Sequence, residues 1–203
     1  SSPVARRVYE LVGQTGKRCQ AAGGAKNTLL VMPDALEEQT LDALLSSAFG
    51  CAGQRCMAGS LLIGIGDACD ELRDQVASAM DTLSMGDTLA DDSVGMGPVI
   101  DARAQKRLRG SIEAATPDMP LVRDGRQGVP EEGFFVGPTL VDEVRPEHSL
   151  FSEELFGPVL GLMRPGSLQE AIEWINRIPF GNAATIFTRD GGAARTFARQ
   201  VEC

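Results

Sequence analysis

The chain has little of what metal and dyad chemistry needs: a single histidine, His148, in 203 residues. One imidazole builds no histidine metal set and leaves no ready partner for a serine or cysteine dyad. Cysteine is sparse as well. The five residues, Cys19, Cys51, Cys56, Cys69 and Cys203, are odd in number and form no Cys-x-x-Cys pair. A disulfide framework in a short secreted chain is dense and even, so a reducing compartment is expected, either a bacterial cytoplasm or an organelle matrix. Positive charge is outweighed, with 19 Lys and Arg against 28 Asp and Glu and a net charge of -9. That excludes wrapping nucleic acid and binding an anionic membrane, which both require a basic face. No apolar run approaches a membrane span, and the first residues lack the charged-then-apolar pattern of a signal peptide. What is present is ordinary for a globular domain: 43% hydrophobic and 23% charged residues, in a chain long enough to bury a core.

Apolar spacing divides the chain into alternating elements. Val4, Val8, Leu11 and Val12 fall at helical spacing between Pro3 and Gly16. Thr28 to Met32 reads as a strand ending at Pro33-Asp34, where Asp34 is expected to cap a helix through Leu36 to Ala48. Ser60 to Ile65 is the next buried strand, followed by a helix from Asp67 to Leu83. A turn-rich loop, Gly95 to Ile100, precedes a helix from Ala102 to Ala115. Leu121-Val122, Phe134 to Val144, Pro158 to Met163 and Ala183 to Phe187 read as strands, with helices over Leu168 to Asn176 and from Ala193 onward. Strands alternating with such helices predict an α/β fold with a mainly parallel sheet. Ser1-Ser2-Pro3 opens a helix with nothing before it, and the last helix stops at Glu202-Cys203 without Gly or Pro, so a fragment of a longer chain is expected.

Cys56 lies in Gly53-Gln-Arg-Cys-Met-Ala-Gly-Ser60, a glycine-rich connection from a helix to a strand. Exposed N–H groups of such a turn can stabilise an oxyanion, and Arg55 beside it can favour a thiolate. A cysteine that merely fills a core has the same spacing, so spacing alone leaves both readings open. Cys19, Cys51 and Cys69 are expected to pack.

The surrounding motifs go further. Gly53-Gln54-Arg55-Cys56 resembles the nucleophile motif of the aldehyde dehydrogenases, a cysteine after Gly-Gln-x. Glu153-Glu-Leu-Phe-Gly-Pro-Val159 and Pro179-Phe-Gly-Asn-Ala-Ala-Thr-Ile-Phe-Thr188 resemble two further stretches of that family. Gly97-Pro-Val-Ile100 and Gly133-Phe-Phe-Val-Gly-Pro-Thr139 fall in the family's order, so the likeness covers essentially the whole chain. Gly24-Ala-Lys-Asn27, Met32-Pro-Asp-Ala35 and Gln54-Arg-Cys-Met-Ala58 are similar to the methylmalonate-semialdehyde dehydrogenase branch. Most relatives place a general-base glutamate four residues before the lysine; here that position is Ala22. Without that base an acyl-enzyme would persist until a thiol such as coenzyme A attacks it.

The resemblance implies a three-layer catalytic domain with a Rossmann-like sheet over residues 28–203, short of its last strand, and residues 1–27 as an edge of the dinucleotide-binding domain. The rest of that domain, with the asparagine that completes the oxyanion hole, would precede the chain. The implied reaction has Cys56 attack a small carboxylate-bearing aldehyde, methylmalonate or malonate semialdehyde. NAD would take the hydride and coenzyme A the acyl group, giving propionyl-CoA or acetyl-CoA with decarboxylation. Glu154 matches the glutamate that bonds the nicotinamide ribose, and Phe156 the ring beside the nicotinamide; a solvated acidic pair is the plain alternative for Glu153-Glu154. Arg55 could pair with the substrate carboxylate or simply sit at a helix end. Lys26 belongs to a motif without a defined role, and Ser1 and Ser2, at the terminus, are expected to fray. No metal, nucleic acid or membrane is expected, and the parent enzyme would be a homodimer or homotetramer whose fragment alone is inactive. A hydrolytic dehydrogenase of another small aldehyde and a catalytically silent scaffold remain as alternatives.

Overall fold

Three apolar runs, Asn27–Val31, Gly59–Gly64 and Val159–Met163, form the centre of the molecule as strands β1, β2 and β5. A computed structural model describes residues 1–66 and 68–203. Every residue of β1 and β5 is buried, and Leu61, Leu62 and Ile63 of β2 are fully enclosed. Strands that are apolar on both faces need cover on both faces, which helices provide in a parallel sheet. The other strands are β3 (Leu121–Arg123), β4 (Thr139–Val141) and β6 (Ala184–Phe187), in the order β3-β4-β5-β2-β1-β6. All neighbours are parallel except β3 with β4. The α/β class and mainly parallel sheet expected from the alternating pattern are thus present.

The helices are α1 (Ser2–Gln14), α2 (Glu38–Phe49), α3 (Ala68–Met80), α4 (Ala102–Ala115), α5 (Ser149–Ser152), α6 (Leu168–Asn176) and α7 (Gly191–Gln200). Leu108 and Ile112 of α4, a turn apart, are both fully buried, so its apolar stripe faces the core. Caps set several boundaries. Asp101 accepts the Ala104 N–H at 2.7 Å to start α4, and Ser167 accepts the Glu170 N–H at 3.2 Å to start α6. By contrast α1 buries none of its residues, and Val4, Val8, Tyr9 and Leu11 stay exposed.

Three expectations need correction, and a fourth falls outside the described residues. Asp34 caps no helix: it sits in a 3-10 turn, Pro33–Ala35, and α2 starts after Glu37 without a side-chain cap. Its carboxylate instead accepts bonds from the Arg189 and Asp190 N–H groups at 2.7 and 3.1 Å and from the Thr188 hydroxyl. Phe134 to Val144 is not one strand; only Thr139–Val141 pairs, because Gly137-Pro138 interrupts the ladder. The helix expected from Asp67 begins, among the described residues, at Ala68; Asp67 lies outside them. Cys51 does not pack but is exposed, whereas Cys69 is buried as expected.

Open α/β sheets usually bind ligands beyond the carboxyl ends of their strands. Here the ends of β4 and β5 carry an ion network. Buried Asp142 accepts Arg164 Nε and Nη2 at 2.8 and 2.5 Å, and Arg164 Nη1 reaches Asp70 at 2.8 Å. The opposite, amino-terminal edge is where the motifs converge.

Candidate active site

The connection from α2 to β2 is folded by three successive left-handed residues, Cys51 (φ 54°), Ala52 (φ 53°) and Gly53 (φ 68°). Such a conformation costs an L-residue roughly 1–2 kcal/mol, so the neighbouring contacts must hold it. Gly53 is the position where only glycine fits. A Cβ there would lie 2.4 Å from the Gly157 carbonyl oxygen, because two motifs about a hundred residues apart in sequence meet backbone to backbone.

Each residue after Gly53 is tied to a different element. The Gln54 side chain accepts the Ile100 N–H at 2.8 Å and reaches the Pro98 carbonyl at 3.4 Å, joining the turn to the Gly97-Pro-Val-Ile100 loop. Arg55 Nη2 donates to the Ser46 carbonyl, which also accepts the Gly50 N–H, and, at 3.1 Å, to that of Ser47, both in the last turn of α2. Gly50 leaves room for it, since a Cβ would come within 2.7 Å of that nitrogen. Cys56 itself is exposed in the turn. Its carbonyl accepts Nδ2 of Asn27 at 2.9 Å and Nδ2 of Asn182 at 2.7 Å, and Asn27 Nδ2 also donates to the Ala58 carbonyl at 2.9 Å. The β1–β2 register slips at this point, with Asn27 opposite Gly59 but Thr28 opposite Leu61. Bulges of this kind re-aim side chains beside functional sites.

Facing the turn is the Glu153 to Val159 segment. Glu154 Oε1 accepts the Ala25 N–H at 3.1 Å, and a Cβ at Gly24 would stand 3.1 Å from Oε2 and 2.9 Å from the Phe180 ring. Glu154 is exposed, and Phe156 holds a left-handed φ of 50° with its ring 44% exposed. Arg55, Cys56, Glu154 and Phe156 therefore line one cleft, with Asn27, Gly59 and Val159 (the first residues of β1, β2 and β5) at its floor. All four side chains singled out in the sequence come together.

Three residues without an assigned role also belong here: Asn27, Asn182 and Lys26. Asn182 gave no signal in the sequence, because its partner in the turn is distant along the chain. Lys26 is 4% exposed, with no carboxylate within ion-pair distance among the described residues. Burial pushes its amine down to about 8, against the upward pull of Glu153 and Glu154. Ser2 is not frayed, because its hydroxyl accepts the Gly24 N–H at 3.0 Å. Ala22 is exposed and brings no carboxylate. Among the described residues no group of three His, Cys, Asp or Glu side chains is placed to hold a metal.

Comparison with known proteins matches residues 1–203 to the model of the aldehyde dehydrogenase family. Malonate-semialdehyde dehydrogenase 1 of Geobacillus thermodenitrificans is 42% identical over the whole chain, which spans 42% of that relative. Malonate-semialdehyde dehydrogenase of Pseudomonas aeruginosa is likewise 42% identical over the whole chain and 41% of its own length. Methylmalonate-semialdehyde dehydrogenase from Oceanimonas doudoroffii superposes with a TM-score of 0.94 at 44% identity, over 99% of this chain and 42% of that one. A 1-pyrroline-5-carboxylate dehydrogenase from Thermus with bound NAD superposes with a TM-score of 0.87 at 28% identity, over 98% of this chain and 39% of that one.

Proposed function

The chain belongs to the aldehyde dehydrogenase family, and from that premise we propose that it is the thiol-bearing part of an NAD-dependent semialdehyde dehydrogenase that transfers its acyl group to coenzyme A. One observation carries this reading: the exposed Cys56 shares a single cleft with Arg55, Glu154 and Phe156. The likeness to malonate- and methylmalonate-semialdehyde dehydrogenases supports a small aldehyde with a carboxylate nearby as substrate.

The Cys56 thiolate attacks the aldehyde carbon, and the oxygen takes up the negative charge. The Cys56 backbone N–H is one donor for that oxygen. NAD, when bound, supplies the hydride acceptor that turns the thiohemiacetal into a thioester. The residues suit such a group: Glu154 keeps a second carboxylate oxygen beside the space that Gly24 leaves open, fit to accept a ribose hydroxyl, and Phe156 offers an exposed ring to a flat nicotinamide. Arg55 would receive the substrate carboxylate on the guanidinium nitrogens not committed to the end of α2. The thioester is then attacked by the coenzyme A thiol, releasing the acyl-CoA and restoring the Cys56 thiol. Where a carboxylate sits β to the thioester carbonyl, carbon dioxide leaves and a proton replaces it. That gives acetyl-CoA from malonate semialdehyde and propionyl-CoA from methylmalonate semialdehyde. The exposed Ala22, with no carboxylate to activate water, favours the thiol over hydrolysis. Five free cysteines fit a reducing compartment such as the cytoplasm.

The test is product analysis on the protein carrying this chain, supplied with malonate semialdehyde, NAD and coenzyme A. The expected result is NADH and acetyl-CoA in equal amounts, lost on Cys56→Ala. Free acid formed without consumption of coenzyme A would establish the hydrolytic alternative.

A further inference from the structure

The Cys56 side chain is exposed in its turn, yet its carbonyl oxygen takes two amide donors, Asn27 Nδ2 at 2.9 Å and Asn182 Nδ2 at 2.7 Å. We propose that Asn182 is a positioning residue, which with Asn27 clamps the Cys56–Met57 peptide and so holds the nucleophile in its reactive place; this rests on the proposed function.

The accounting of donors supports a built device. Asn27 Nδ2 uses both its hydrogens, one on Cys56 and one on the Ala58 carbonyl at 2.9 Å. Asn182 Nδ2 uses one on Cys56 and one on Asn27 Oδ1 at 3.0 Å, with the Met57 sulfur a further contact at 3.3 Å. The two amides thus form a short chain in which each bond polarises the next. Asn27 is the first residue of β1 and Asn182 lies just before β6, so the turn before β2 is fastened across three adjacent strands. A leucine at position 182 could donate nothing here. Losing Asn182 leaves the Cys56 carbonyl on one donor and Asn27 Oδ1 without its amide partner. The turn keeps its covalent path but gains freedom at Cys56, where a displacement of about 1 Å costs on the order of a hundredfold in rate.

The experiment compares Asn182→Leu, Asn182→Ala and Asn182→Gln in the protein carrying this chain. In the Leu and Ala variants kcat for NADH formation falls about 10- to 100-fold, while KM for NAD and coenzyme A stays within about twofold. Backbone amides of residues 54–58 exchange with deuterium faster. Gln, which keeps an amide, regains part of both. Asn182 is exposed, so these variants are expected to fold; Ala tests the lost donor without added bulk. Unchanged kcat in Leu and Ala overturns the proposal, as does a loss of kcat with unchanged exchange at 54–58. If the unsubstituted protein makes no NADH, the proposed function fails, and the exchange measurement alone then decides whether the clamp exists.

Discussion

Lys26 shows how far a residue's role depends on surroundings that a motif does not display. In the sequence it is one letter of Gly-Ala-Lys-Asn; in the fold it is a buried amine whose pKa burial lowers from 10.5 to about 8. Between those pH values the unfolded chain binds more protons than the folded one, so this lysine makes stability rise as pH climbs from about 8 to 10.5. Lys26→Met is therefore expected to stabilise the fold at pH 7, by about 3 kcal/mol at 1.36 kcal/mol per pKa unit. Urea unfolding should show that advantage shrinking as pH approaches 10.5; an equal advantage at both ends would refute the assignment. Cys69 behaves in the opposite sense. Its thiol is fully enclosed and pushed up to about 11, chiefly by burial, so in the folded protein it should be the slowest of the five cysteines to alkylate. Peptide mapping after brief iodoacetamide treatment would show this, with the exposed Cys51, Cys56 and Cys203 labelled first. Cys56, Glu154 and Phe156 were legible in sequence because their motifs are contiguous. Asn27 and Asn182 were not, because their meaning is a bond to each other across the fold.

At the scale of elements, legibility followed local chemistry. The spans of α4 and α6 agree with the sequence reading because Asp101 and Ser167 cap them with their own side chains. The segment from Phe134 misled because apolar letters ran past Gly137-Pro138, which breaks the ladder. Asp34 misled because a capping residue can serve a distant backbone as well as the next helix. It joins the end of β1 to the end of β6. Desolvation alone would raise its pKa, but bonds from Arg189, Thr188 and Asp190 outweigh it and hold the carboxyl low. A lowered carboxyl contributes stability above its unfolded value and loses it as pH falls through the folded one. The Tm gap between the natural chain and Asp34→Ala should be full near neutrality and close as pH falls below 3.8; a gap that persists in acid would count against the latch. Gly53→Ala tests the crossing of the two motif loops. The left-handed φ and the 2.4 Å approach to Gly157 predict a stability loss of at least about 2 kcal/mol in urea, with activity falling together with it.

For the whole molecule, the pattern of strands and helices conveyed the α/β class but not which edge of the sheet would carry the chemistry. A doubly wound sheet suggests the carboxyl edge; here Arg164, Asp142 and Asp70 occupy the β4–β5 end of it, and the Cys56 cleft opens at the amino edge. That edge can be found only from the loops: the left-handed turn after α2, the carbonyls that Arg55 covers, and the Gly53–Gly157 crossing. The exposed apolar face of α1 and the likeness to relatives of which this chain spans 42% place the remaining test on the protein carrying it. In the proposed reaction Cys56 carries the acyl group until coenzyme A removes it. Mass spectrometry of the Cys56 peptide after reaction with malonate semialdehyde and NAD, without coenzyme A, tests it most directly. An acyl adduct on Cys56 alone is expected, discharged when coenzyme A is added; NADH formed with Cys56 unmodified, or an adduct that coenzyme A leaves in place, would contradict a Cys56 thioester.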